Sequence, residues 1–151
     1  MTSTRQRAED FFESLERPAI VEAIRRAEAK GRGEIRVHLH RGRVSDARAL
    51  AERTFTRLGM EKTELRSGCL LFIAPEERAF AVIGDVGIHR KVGPTFWLDA
   101  RDAAAALFAQ GKFTEGIVAA VDRLGDALSV HFPQAAGLPN PNELPDDVTE
   151  D

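Results

Sequence analysis

The sequence predicts an α/β domain, and three stretches carry the prediction. Glu34-Ile35-Arg36-Val37-His38-Leu39-His40 alternates polar and apolar residues with the period of a strand. A helical pattern follows, with Ala47, Leu50, Ala51, Phe55 and Leu58 on one side. Two apolar runs, Cys69–Ala74 and Ala79–Ile83, then flank the charged turn Pro75-Glu76-Glu77-Arg78 in the manner of a buried hairpin. Strand, helix and strand make a βαβ unit with a right-handed crossover, and the hairpin turns the third strand antiparallel, so the sheet is mixed.

Length and composition bound the rest. At 151 residues and 43% hydrophobic, the chain fits one domain with a single core and short tails. With 21 basic against 24 acidic residues, a net charge of -3 provides no overall field for nucleic acid or an anionic membrane. The first residues reach Glu9 and Asp10 before any apolar segment forms, so no signal-peptide h-region is read. The longest apolar runs fall far short of the roughly 20 residues that a membrane-spanning helix needs. A soluble, cytoplasmic chain without a transmembrane segment is the expectation. A single cysteine allows neither an internal disulfide nor a Cys-based zinc cluster, which agrees with a reducing compartment.

In chain order, Phe11, Phe12, Leu15, Ile20, Ile24 and Ala27 recur at helical spacing, but Pro18 cannot sit inside a helix without losing a hydrogen bond. Two helices therefore meet there, one within residues 1–17 and one opening at Pro18 and stopping at Gly31-Arg32-Gly33. The first strand places Ile35, Val37 and Leu39 on an apolar face and Glu34, Arg36, His38 and His40 on a polar face turned to solvent or a partner. Ser45 is the expected N-cap of the crossover helix, which ends near Gly59. The nearly continuous apolar runs of the hairpin suit central strands covered on both faces, and Gly84-Asp85-Val86-Gly87 reads as a glycine-flanked acidic loop. From Pro94 to Gln110 an amphipathic helix turns Phe96, Trp97, Ala100, Ala103, Ala104, Leu107 and Phe108 inward, and Gly111 stops it. Thr114 caps a last helix, with Ile117, Val118, Val121, Leu124 and Leu128 inward. Residues 18–132 form the predicted domain, and the Pro-rich acidic stretch 133–151 is expected to be an extended or disordered tail.

Taken in order, the blocks GEIRVHL, LGMEKT, SGCLLFIAPEERAFAVIGDVGI, FWLD, GKFTEGI and NELPDD resemble the TPM domain family. That family is shared by a thylakoid-lumen photosystem II repair protein and many bacterial proteins, and the likeness is closest to its small, soluble bacterial branch. It covers roughly residues 18 to 148. The resemblance implies an α/β sandwich with a Rossmann-like βαβ core and a mixed three- to four-stranded sheet flanked by helices. Plant members are linked to acid phosphatase activity and bacterial relatives to divalent metal binding. The expected function is accordingly a non-enzymatic module that binds Ca²⁺ or Mg²⁺ or an unidentified protein partner, with a metal-dependent acid phosphatase as the alternative. The family pattern puts Asp-Gly or Asn-Gly before strand two and Gly-Tyr-Gly-Leu-Glu after strand three. Here those places hold Ser67-Gly68 and Gly84-Asp85-Val86-Gly87-Ile88-His89, so the family glutamate falls near His89.

An antiparallel third strand returns Asp85 to the sheet end where strand one starts at Glu34 and strand two at Ser67. If the helix after Pro94 also begins there, Asp99 and Asp102 approach. Asp85, Glu34, Asp99, Asp102 and His89 are therefore the expected metal ligands, an oxygen-rich set of the kind that Ca²⁺ or Mg²⁺ prefers. The plainer reading is that Asp85 caps a turn while Asp99 and Asp102 are solvated acids in a first helical turn. His38 and His40 could chelate a metal only if a carboxylate joined them, and an exposed strand face needs polar residues in any case. Cys69 lacks the arginine and anion-cradling loop of a cysteine phosphatase and reads as a core thiol. No P-loop lysine is present, so no nucleotide or organic cofactor is expected. The basic residues Arg25, Arg26, Lys30, Arg32, Arg36, Arg41 and Arg43 lack interleaved aromatics and read as a solvated basic patch, open to an acidic partner, in preference to a nucleic-acid site.

Overall fold

The computed structural model describes residues 3–134 and 148–151. Its sheet contains β1 (Glu34–Leu39), β2 (Gly68–Ala74), β3 (Ala79–Gly84) and β4 (Val148–Glu150), in the spatial order β3-β2-β1-β4. β1 pairs in parallel with β2 and β4, and β2 pairs antiparallel with β3. The crossover between β1 and β2 is α3 (Ala47–Arg57). The remaining helices are α1 (Thr4–Ser14), α2 (Arg17–Lys30), α4 (Val86–Val92), α5 (Pro94–Phe108) and α6 (Phe113–His131).

Alternation along the strands sorts the core into two layers. Ile35, Val37, Leu39, Cys69, Leu71, Ile73 and Val82 share one face with the apolar sides of α1, α2, α4, α5 and α6. Leu70, Phe72, Ala74, Ala81 and Ile83 point the other way, where Ala51 and Phe55 of α3 and Met60 cover them. The chain is thus a mixed α/β sandwich with a βαβ core and helices on both sides of the sheet. No helix among the described residues is long and apolar enough to cross a membrane.

Several local expectations are corrected. Asp46 caps α3 in place of Ser45, its side chain accepting from Ala49 N at 3.1 Å. Thr114 lies inside α6, and its hydroxyl accepts from Glu16 N at 3.1 Å, tying the start of α6 to the start of α2. β3 is an edge strand: apolar residues on both of its faces show burial between layers and say nothing of a partner at its side. Gly84-Asp85-Val86-Gly87 is no loop, because Asp85 is the N-cap of α4.

The polar face of β1 is the largest correction. Glu34, Arg36 and His38 are all buried, His38 at 1% exposure. For His38 the cause lies at the far end of the chain, where Val148–Glu150 pair with Val37–Leu39 as β4 and bring Asp151 over the histidines; Glu34 and Arg36 lie outside that pairing. The tail expected from residue 133 onward therefore ends in a paired strand; residues 135–147 lie outside the described residues.

Candidate functional site

One end of the sheet gathers the strand starts. Glu34 stands opposite Gly68, and Asp85 N donates to the Gly68 carbonyl at 2.9 Å, so Glu34, Ser67 and Asp85 share that end. Between α3 and β2 the chain turns at Gly59, makes a short 3-10 turn at Met60–Lys62, and folds back as Ser67 N donates to Thr63 Oγ1 at 3.0 Å. The fold-back leaves Arg66 in the left-handed region, at φ 52°. Its carbonyl accepts from Gly87 N at 2.9 Å and from Ile88 N at 3.3 Å. Glycine is required at 87, since a Cβ there would lie 2.1 Å from the Leu65 carbonyl oxygen.

The Arg66 side chain doubles this attachment. Its Nε donates to Asp85 Oδ2 at 2.6 Å and its Nη2 to Oδ1 at 2.8 Å, a bidentate pair, while Oδ1 also accepts from Val86 N at 2.8 Å. Asp85 is 5% exposed and the Arg66 side chain 47%. Hydrogen bonding to Asp85, followed by its charge, raises the Arg66 pKa above its ordinary value. On the other side of α4, Trp97 Nε1 donates to His89 Nδ1 at 2.9 Å, which requires that nitrogen to be unprotonated. Together these groups line an open cleft of about 430 Å³ along the β3 edge, with Glu52 and Phe55 of α3 on one wall and Trp97 on the other.

Not all of the expected metal ligands meet here. Asp85 and His89 line the cleft; Glu34 is buried at the start of β1. Asp99 and Asp102 are exposed beyond the first turn of α5, Asp102 beside Arg101. Among the described residues no group of three or more His, Cys, Asp and Glu side chains is placed to hold a metal ion. The cleft does contain an acid that the sequence reading passed over. Glu61 lines it, and Glu61 Oε2 is shielded from solvent without a hydrogen-bond partner. The available signal was the block LGMEKT, where a glutamate comes two residues after the turn glycine.

Elsewhere the candidate groups are engaged. His38 Nδ1 lies 2.6 Å from Thr149 Oγ1, and His40 Nδ1 lies 2.7 Å from Asp151 Oδ1. His38 Nε2 is 3.1 Å from Asp151 Oδ2, within ion-pair range but without the alignment of a hydrogen bond. Many of the basic residues face acids of the same chain, Arg26 with Asp122, Lys30 with Asp126 and Arg32 with Glu64. Burial, with smaller contributions from the charges of Glu28 and Asp85, pushes the fully enclosed Cys69 thiol far above its usual range. Native protein is therefore expected to resist iodoacetamide at pH 8 and to be alkylated at Cys69 only after denaturation. Rapid labelling of the native state, read by intact mass, would contradict this burial.

A βαβ-based sandwich with a charged cleft at one sheet end defines a small α/β module, and sequence comparison gives its family. The TPM domain model matches residues 6–127, and the chain belongs to that family. A similar solved structure is the NMR structure of the BA42 protein from the psychrophilic bacterium Bizionia argentinensis. It is 38% identical, covers 90% of this chain and 92% of its own, and superposes with a TM-score of 0.81. No curated protein matches.

Proposed function

We propose that this TPM domain is a non-enzymatic binding module that takes up Mg²⁺ or Ca²⁺ between Glu61 and Asp85, with Arg66 as the internal counter-ion of the cation-free form. The observation that carries the reading is Glu61 Oε2, a carboxylate oxygen shielded from water and unpartnered in the cleft that Asp85 lines. An unpaired buried acceptor is costly, and a cation would satisfy it. Two carboxylates with water completing the shell is a mode that Mg²⁺ accepts. Arg66 can give way because its side chain is nearly half exposed and can hydrate outside the cleft. The non-enzymatic reading is supported by the nucleophiles at this sheet end among the described residues: Cys69 is enclosed, Ser67 is buried, and Asp85 is held by Arg66.

Titration with MgCl₂ and CaCl₂, followed by backbone amide shifts, should move residues 60–67 and 84–89. Asp85→Asn and Glu61→Gln should each weaken binding about tenfold or more, whereas Arg66→Gln, which removes the competing cation, should tighten it by a similar factor. Unmoved amides in wild type, or an Arg66→Gln variant that binds no more tightly, would sink the proposal.

A further inference from the structure

A second cavity, at the other end of β3, is built unlike the first. It encloses about 900 Å³ between α1, the hairpin turn, α5 and the start of α6. Four phenylalanines form its apolar lining: Phe11 packs against Phe113 with centroids 4.6 Å apart and against Phe108 at 5.9 Å, and Phe80 meets Phe108 edge-on at 5.1 Å. Phe80, Phe108 and Phe113 are only partly buried, so their faces remain open to an occupant. The volume and the apolar walls are those of a small-molecule site, which needs a few polar groups to fix orientation.

Those groups are cationic. Arg7 of α1 reaches the cavity, and its Nε is shielded from solvent without a hydrogen-bond partner, while its Nη2 makes only a long 3.5 Å contact to the Glu76 carbonyl. Arg78, at φ 52° in the hairpin turn, stands exposed on the same wall. Asp10 is the lining acid, and it accepts a hydrogen bond from Gln6 at 2.9 Å on the exposed side of α1. A shielded guanidinium nitrogen beside apolar rings leaves a charged donor unsatisfied, and a carboxylate is the acceptor that matches its geometry. We infer that this groove binds a small monocarboxylate with an apolar body, the carboxylate on Arg7 and Arg78 and the hydrocarbon against Phe11, Phe80, Phe108 and Phe113. The site is separate from the cation cleft and independent of that reading.

Octanoate at pH 7 is the probe, with 1-octanol as its uncharged counterpart, and amide shifts of Phe80, Ala105 and Phe113 as the readout. Octanoate should bind saturably and about tenfold or more tightly than octanol. Arg7→Gln should remove that preference while leaving octanol binding unchanged. Arg78→Gln, at an exposed position that the fold does not need, should weaken octanoate in the same direction and serves if Arg7→Gln fails to fold. Equal binding of octanol and octanoate would mark a plain apolar docking face and overturn the inference. Groove amides that stay unmoved by octanoate would overturn it too.

Discussion

Trp97→Ala is expected to lower the unfolding free energy by about 3–5 kcal/mol, the cost of emptying a buried aromatic site. Trp97 is 6% exposed, and its ring lies so close to Gly84 that a Cβ at 84 would come within 2.1 Å of Cη2. At the facing position Gly84 offers no side chain to relax into the space. The loss reaches the cleft as well. His89 loses the donor at Nδ1, Phe96 loses its edge-on neighbour at 5.0 Å, and the short α4 loses one of its attachments beside Ile88, Val92 and the Arg66 carbonyl. Urea denaturation followed by far-UV circular dichroism measures the change. Leu98→Ala, one residue on and 47% exposed, should stay within about 0.5 kcal/mol of wild type. A Trp97→Ala cost below 1 kcal/mol would show that the ring is not the packing element of this corner.

The second large effect belongs to the last four residues. Deleting Val148–Asp151 removes the parallel pairing of Val37–Leu39, the Arg41 N to Asp151 O and Asp151 N to Leu39 O bonds at 3.1 Å, and the Arg57 contact to Asp151 Oδ2 at 2.9 Å. At about 1 kcal/mol net per hydrogen bond, a loss on the order of 3 kcal/mol is expected. The deletion should also change the pH profile. In the intact chain burial lowers the His38 pKa below 6.5, opposed by Asp151 and reinforced by the nearby charges of Arg57 and His40. The unfolded chain therefore takes up a proton first, so stability is full above about pH 6.5 and falls as pH decreases from there through the folded value. Burial alone would raise the Asp151 pKa, but the hydrogen bond with His40, the close polar contact of His38 and the charges of both rings outweigh it and lower it below 3.8. That contribution is present above 3.8 and lost only in stronger acid. Between pH 7 and 5, intact protein should lose denaturation midpoint while the deletion variant, with His38 opened to water, changes less. Parallel profiles for the two proteins would contradict the assignment of this window to His38.

Sequence and structure agree most closely where a pattern is local. The alternation of β1, the spacing of α3 and the hairpin about Pro75–Arg78 each need only neighbouring residues, and the parallel pairing of β1 with β2 follows from the helix between them. What failed depends on distant partners. Nothing near His38 announces that Thr149 will meet its Nδ1, so a polar strand face looked solvated when it was enclosed. The salt bridge of Asp85 was hidden for the same reason: its partner, Arg66, lies 19 residues earlier, in a left-handed turn that has no glycine to mark it. Glu61 passed unnoticed for a related reason: a carboxylate becomes conspicuous only when the fold shields it. Thr114 and Ser45 have the chemistry of helix caps, yet the helix boundaries shift each by a residue or two and hand Thr114 a tertiary task.

The order β3-β2-β1-β4 also bears on self-association. A sheet invites pairing between molecules through long, flat, unpaired edges, and this one offers none among its described residues. On one flank the terminal strand is three residues long and carries Glu150, held by Arg17 and Arg41. On the other, Val82, Ile83 and Gly84 line the cleft together with the charged side chains of Arg48, Glu52 and Arg66, and charge beside an edge disfavours an approaching strand. The cleft that gathers charge for binding thereby also guards the open side of the sheet.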